Sequence, residues 1–158
     1  MTEPQTIEAG VAAPDFTAPT DGKGELTLSS LQGKTVVLYF YPKDSTPGCT
    51  KEAVHFKAFW PDFSGINAVI IGVSKDSVKR HDNFKAKYHL PFRLVADNDG
   101  SICDTYQTWV TKKMYGREYK GIERSTFLID KKGVIKKVWR KIKVKGHVEA
   151  VLEAASAL

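Results

Sequence analysis

The chain has 158 residues, 42% of them apolar and 27% charged, with a net charge of +6, a length that suffices for a sizeable core and predicts a single domain over residues 1–158. Two cysteines exclude a structural disulfide framework and an all-cysteine zinc site, and no apolar run approaches the roughly 20 residues of a membrane span. The opening MTEPQTIEAGVAAPDF lacks a basic segment followed by an apolar one, so the expected location is cytoplasmic, with no membrane association.

In chain order, the first predicted feature is a β-hairpin in APDFTAPTDGKGELTLSSL, where Asp21-Gly22 and Gly24 separate two short alternating segments. Leu31 to Lys34 makes a turn. TVVLYFY is a continuous β-branched and aromatic run, the pattern of a strand buried on both faces. It stops at Pro42. From Cys49 to Phe63 the apolar Ala53, Phe56, Phe59 and Trp60 recur at three- and four-residue spacing, which predicts a helix. NAVIIGVS reads as a second buried strand, and Ser77 to Tyr88 as a second helix with Asp76 as its N-cap.

PFRLVAD is a short strand ending in the turn Asn98-Asp99-Gly100, and SICDTYQTW a short helix. GIERSTFLID and GVIKKVWRKI pair as a hairpin across Lys131-Lys132-Gly133, and HVEAVLEAASAL is an amphipathic helix. Strands alternating with helices, followed by an antiparallel pair, predict an α/β fold with a mixed central sheet flanked by helices. Ligand chemistry in such folds concentrates where the chain leaves the C-terminal ends of strands. Cys49 lies just past such an end.

The histidines, His55, His81, His89 and His147, have no HExxH or CxxC context and are expected to be solvated or capping residues. No metal and no cofactor are assigned. The basic stretch KKGVIKKVWRKIKVKGH, residues 131–147, interleaves Val134, Ile135, Val138, Ile142 and Val144 with its lysines. That is the pattern of a strand and an extended tail with one solvated wall; no nucleic-acid motif accompanies it, and nucleic acid is not an expected partner.

The segment YFYPKDSTPGCT, residues 39–50, leaves a buried strand, turns and enters a helix with Cys49 in its first turn. There the positive end of the helix dipole and neighbouring cations favour a reactive thiolate over a thiol. Pro47 and Gly48 suit the helix entry, Pro42 would shield the sulfur from bulk water, and Thr46 supplies a hydroxyl. A thiolate with hydroxyl and backbone donors beside it suits a peroxide: as sulfur attacks one oxygen, charge grows on the other, and aimed donors stabilise it. The candidate cation is Arg124, at the head of an apolar strand, where it is either an ion-paired strand-end residue or an active-site charge. Cys49 itself, by position alone, is either this nucleophile or a small inert hydrophobe.

PKDSTPGCTKE resembles the active-site signature of the peroxiredoxins, PxxxTxxC, and the TPGCT form after FYPKD resembles their Q-type branch, the bacterioferritin comigratory proteins. The likeness extends over APDFTAPTDG, VVLYFYPK, VIIGVSKDS, FKAKYHLPFRLVAD and YKGIERSTFLID, nearly the whole chain. The resemblance implies a thioredoxin fold with an N-terminal β-hairpin extension. It implies that Cys49 is the peroxidatic cysteine, shielded by Pro42, with Thr46 bonding the peroxide and Arg124 polarising the site. The implied reaction reduces hydrogen peroxide and organic hydroperoxides to the alcohol level while Cys49 becomes a sulfenic acid. An apolar collar from Phe92 or Trp109 would favour larger peroxides, and relatives of this branch imply a monomer.

One departure from the family pattern bears on mechanism. Many members carry a resolving cysteine five residues after the peroxidatic one, where this chain has Val54, and no cysteine stands between Cys49 and Cys103. The working expectation is a one-cysteine mechanism, with thioredoxin, glutaredoxin or glutathione as the external thiol. The alternatives are a Cys49–Cys103 disulfide, or, in a different class, a non-catalytic chaperone or a nucleic-acid module using the basic C-terminal stretch.

Overall fold

The apolar runs of the sequence pair into one seven-stranded sheet. The computed structural model describes residues 6–158, so Met1 to Gln5 of the expected domain lie outside the described residues. The chain runs through β1 (Thr17–Thr20), β2 (Gly24–Thr27), β3 (Thr35–Phe40), α1 (Pro47–Ala58), α2 (Trp60–Gly65), β4 (Ala68–Ser74), α3 (Val78–Tyr88) and β5 (Arg93–Ala96). It continues through α4 (Ser101–Thr105), β6 (Trp109–Met114), β7 (Arg117–Ile122), β8 (Ser125–Ile129), β9 (Ile135–Trp139) and α5 (His147–Ser156). The sheet order is β2-β1-β5-β4-β3-β8-β9, while β6 and β7 form a separate two-stranded arm. β3, β4 and β5 are parallel to one another, and the pairs β1–β2, β1–β5, β3–β8 and β8–β9 are antiparallel. The mixed sheet and both expected hairpins are present.

β3 is central because every residue of it is buried, as a strand covered on both faces requires. Its side chains alternate between two cores. Val36, Leu38 and Phe40 pack with Ile102, Cys103, Tyr106 and Phe127 on one face. Val37 and Tyr39, with Tyr41 beyond the strand, pack with Cys49, Phe56, Phe63, Phe84 and Val151 on the other. The helices α1, α2, α3 and α5 cover the second face, and α4 with the N-terminal segment covers the first.

Four local expectations are corrected. The helix expected from Cys49 to Phe63 begins at Pro47 and is two helices, broken at Phe59. Pro61 explains the break: it has no N–H to give, and its ring would meet the Lys57 carbonyl in a continuous helix. The N-cap of α3 is Ser77, whose Oγ accepts from the Arg80 N–H, not Asp76. SICDTYQTW is helical only to Thr105, and residues 109–122 form the β6–β7 arm. Its turn, with φ of 52° at Tyr115 and 77° at Gly116, has the two positive values of a tight hairpin.

The histidines are the fourth. His81 and His147 are buried, neither solvated nor capping. His147 Nε2 bonds Thr126 Oγ1 at 2.9 Å, and His89 alone ends a helix, in the left-handed conformation after α3. His81 Nε2 donates to the Val95 carbonyl at 3.0 Å, since a carbonyl only accepts, and its Nδ1 meets Asp44 Oδ2 at 2.6 Å. Asp44 Oδ1 accepts from the Tyr41 hydroxyl at 2.5 Å, and the Asp44 N–H donates to Asp76 Oδ2 at 2.8 Å. This buried knot ties the loop after β3 to α3 and β5, which is how the segment leading to Cys49 is held still.

Candidate active site

Cys49 occupies the first turn of α1, and only 2% of it is exposed. The buried residues of that helix are Cys49, Glu52, Ala53 and Phe56, one face at helical spacing. The packing of that face against the sheet fixes the sulfur's position. The loop before it turns through Ser45 at φ 64°, a left-handed conformation that a side-chain-bearing residue holds only when its surroundings impose it. The knot at Asp44 supplies that restraint. The first N–H groups of α1 have no carbonyl of their own helix to bond, so they and the helix dipole face the thiol end.

Arg124 comes from the other side, one residue before β8. Its Nη2 donates to Cys49 Sγ at 3.3 Å and its Nη1 to Glu52 Oε1 at 2.6 Å. The arginine is therefore ion-paired, as one of its two sequence alternatives has it, and it also touches the Cys49 sulfur. Burial works against its charge, but Glu52 and Cys49 more than offset that, and its pKa rises. A Cβ at Gly48 would come within 3.1 Å of Nη2, so the glycine leaves room for the guanidinium. Thr46 is the N-cap residue of α1, and its hydroxyl donates to the Lys43 carbonyl at 2.8 Å. That leaves the oxygen's lone pairs free to accept. Pro42 is exposed and lines a pocket together with Arg124.

Glu52 was visible in TKE but carries no role in the sequence reading. It is fully buried, its Oε2 has no hydrogen-bond partner, and it sits one helical turn from Cys49. Burial pushes its carboxyl up to about 7, although the charge and the hydrogen bond of Arg124 pull the other way. The sign of its effect on stability follows. A carboxyl that holds its proton more tightly when folded contributes stability below its ordinary value of 4.5, and that contribution is lost as pH rises to about 7. His147, lowered to about 4 by burial and then by Arg124, has the opposite slope: stability is lost as pH falls from 6.5 towards 4. The two nearly cancel in the intact protein. Glu52→Gln should remove one of them, so the unfolding free energy of the variant relative to the parent, from urea titrations, rises between pH 4.5 and 7 by on the order of 3 kcal/mol in total. Parallel curves for the two proteins would mean that folding does not raise the Glu52 carboxyl.

Cys103 is fully buried on the opposite face of the sheet from Cys49, packed with Phe40 and Tyr106. Both cysteines are free. Burial raises the Cys103 thiol far above its ordinary value, and the Asp97 carboxylate, which accepts from the N–H groups of Ile102 and Cys103, adds to it. The structure therefore brings Cys49, Thr46, Arg124 and Pro42 to one end of the sheet and leaves Cys103 apart.

The apolar collar is also corrected. Phe92 is buried among the rings of Tyr39, Phe56 and Trp60, and Trp109 lies under the Lys75 ammonium. Among the described residues, one group has the donor types of a metal site, Asp44, Asp76 and His81. Its atoms are already engaged with one another and with Tyr41, Ser74, Arg80 and Val95. No helix among the described residues is long and apolar enough to cross a membrane.

Comparison with known proteins shows the family. Residues 9–138 match the AhpC/TSA family. The chain is 55% identical over 147 residues to a putative peroxiredoxin bcp of Coxiella burnetii, covering 93% of this chain and 97% of that one. It is 51% identical over 148 residues to peroxiredoxin Bcp of Bacillus subtilis, covering 94% of each. A solved structure of the bacterioferritin comigratory protein of Xanthomonas campestris, described for its alkyl peroxide reduction activity, superposes with a TM-score of 0.89 at 45% identity. It covers 95% of this chain and 98% of that one.

Proposed function

Since this chain belongs to the AhpC/TSA family, and is a thiol-dependent peroxidase of the Bcp and peroxiredoxin Q kind with a thioredoxin-like fold, we propose that Cys49 is its peroxidatic cysteine and that it works by a one-cysteine mechanism. The observation that carries the reading is the 3.3 Å contact from Arg124 Nη2 to Cys49 Sγ, with the second thiol across the sheet. The Cys49 thiolate attacks the nearer oxygen of a hydroperoxide. The O–O bond breaks, the departing oxygen takes a proton and leaves as water or an alcohol, and Cys49 is left as a sulfenic acid.

Arg124 stabilises charge on the sulfur and on the oxygens as it moves between them. The Thr46 oxygen, with its own proton on Lys43, accepts from the protonated peroxide oxygen and so orients it. Pro42 stands at the mouth and keeps bulk water from the sulfur. The substrates are hydrogen peroxide and organic hydroperoxides, the latter supported by the alkyl peroxide activity named for the Xanthomonas relative. An external thiol, of the kind supplied by thioredoxin, glutaredoxin or glutathione, then reduces the sulfenic acid.

The test is intact mass after one equivalent of hydrogen peroxide, with dimedone present and no reductant. Dimedone on Cys49, with Cys103 still free, is the expected result. Loss of two hydrogens with a Cys49–Cys103 peptide link would replace it by a two-cysteine mechanism, and an unoxidised Cys49 would end the peroxidase assignment of that residue. Cys103→Ser should leave the single-turnover rate of Cys49 oxidation unchanged within about twofold, because substitutions away from a site have small effects there. A larger fall in stopped-flow would place Cys103 in the chemistry.

A further inference from the structure

Beside Arg124 the molecule opens into a pocket of about 530 Å³, a size that suits a small ligand. Two segments far apart in sequence build its charged wall. The β6–β7 arm contributes Lys112 and Lys113, and the segment after β9 contributes Lys141. Among the lining residues they and Arg124 stand with one carboxylate, Glu123, while Arg124 is also paired with the buried Glu52 behind it. Glu123 lies 3.9 Å from Arg140, and Lys113 lies 3.6 Å from Glu118. Lys112 and Lys141 make no ion pair among the described residues. Lys112 is half-buried, and burial followed by the charge of Arg124 makes its ammonium easier to deprotonate than usual, against the opposing influence of Cys49.

Lys141 is held in the left-handed region at φ 50°. On one side of it Arg140 donates to the carbonyls of Gln107 and Tyr106; on the other the Ile142 N–H donates to the Arg124 carbonyl. The backbone that carries Lys141 is thus bonded to the backbone of the arginine that touches the sulfur.

We infer that this pocket is a carboxylate-binding subsite for the reductant, and that the thiol which reduces Cys49 is a small one bearing one or more carboxylates. The inference rests on the one-cysteine reading above. Cys49 is 2% exposed, and Arg124 links it to the pocket, lining the pocket and bonding the sulfur at 3.3 Å, so a small thiol held there needs less rearrangement to reach the sulfur than one carried on a folded protein. Unpaired cations around a concave site raise the local concentration of anions and orient them. The incoming thiolate sulfur attacks the sulfenic sulfur, the S–O bond breaks, and the hydroxide takes a proton and leaves as water. A second molecule of the same thiol attacks the sulfur of its predecessor in the mixed disulfide and releases the Cys49 thiolate. Two thiols are oxidised to one disulfide, and the sulfenic acid is reduced by two electrons.

The experiment follows reduction of the pre-formed Cys49 sulfenic acid by 3-mercaptopropionate, 2-mercaptoethanol and cysteamine, which are anionic, neutral and cationic. Ratios of rates between protein variants cancel the intrinsic reactivity of each thiol. In Lys112→Gln/Lys141→Gln the anionic-to-neutral ratio should fall about 5- to 10-fold and the cationic-to-neutral ratio should rise, on the scale of two partly exposed charge contacts. Lys112→Arg/Lys141→Arg should restore the parent ratios. Lys131→Gln/Lys132→Gln, which removes the same charge beside the opposite end of β3 near Thr35, should not change them. An unchanged ratio in the first variant, or an equal fall in the distal one, would overturn the subsite. Failure of the parent reading looks different: dimedone does not label Cys49 before any thiol is added, and no reduction can then be measured.

Discussion

Replacing Cys49 with serine should bring peroxide consumption down to the uncatalysed background, a fall of about 10⁴-fold or more, the scale of losing a nucleophile. Serine nearly matches the thiol in shape, and the helical face of Glu52, Ala53 and Phe56 still seats α1, so the fold should persist. What is lost is the sulfur anion. A hydroxyl is scarcely ionised at neutral pH, and oxygen does not take up a peroxide oxygen as sulfur does to form a stable sulfenic acid. The measurement is peroxide consumption alongside circular dichroism. Persisting turnover in a folded variant would move the chemistry away from Cys49. The same variant separates the rival functions, since salt-sensitive nucleic-acid binding or chaperone activity would be indifferent to it.

Arg124→Ala should lower the second-order rate of Cys49 oxidation by about 10²- to 10³-fold, as for removal of one donor aimed at developing charge. Its guanidinium is the only side chain bonded to Sγ among the described residues. The substitution also removes the cation that pulls the Glu52 carboxyl down and leaves that buried group without its partner; breaking a buried pair from one side costs up to about 3–5 kcal/mol, less where the carboxyl takes up a proton. A slow rate alone does not separate lost charge stabilisation from a damaged fold. The double variant Glu52→Gln/Arg124→Ala resolves this, because it removes both charges: stability should largely return while the oxidation rate stays low. Unchanged stopped-flow kinetics in Arg124→Ala would remove the arginine from the site. Recovery of rate together with stability would make its role structural.

Much of this was legible because its causes are local. The run TVVLYFY names a doubly buried strand, and Thr35–Phe40 is one. TPGCT marks a helix entry through Pro47, and that entry alone puts Cys49 at a helix start. Where the helices and the β6–β7 arm depart from the periodic pattern, a second local signal overrides it. The apolar spacing through Phe59 and Trp60 hid the break that Pro61 imposes. Tyr115-Gly116, a pair able to take two positive φ values, lay between alternating segments whose exposed lysines did not look like a strand. Four histidines without motif context read as surface residues, because the partners that justify burying His81, namely Asp44, Tyr41 and Val95, are brought to it by packing from a distance in sequence.

The amino-acid sequence by itself determined the strand order's raw material, the helix that carries Cys49 and the family the chain belongs to, since propensity, turn chemistry and a contiguous motif act over a few residues. Only the tertiary structure decided what surrounds the sulfur. Arg124 reaches Cys49 across 75 residues and Glu52 across 72, because β8 lies antiparallel to β3 and starts, at Ser125 opposite Phe40, at the end of β3 that leads into α1. The same sheet puts Cys103 on its far side, since successive residues of β3 face opposite cores. Long-range distances of this kind are set by how strands pair and which face each side chain takes, and no short stretch of sequence contains them.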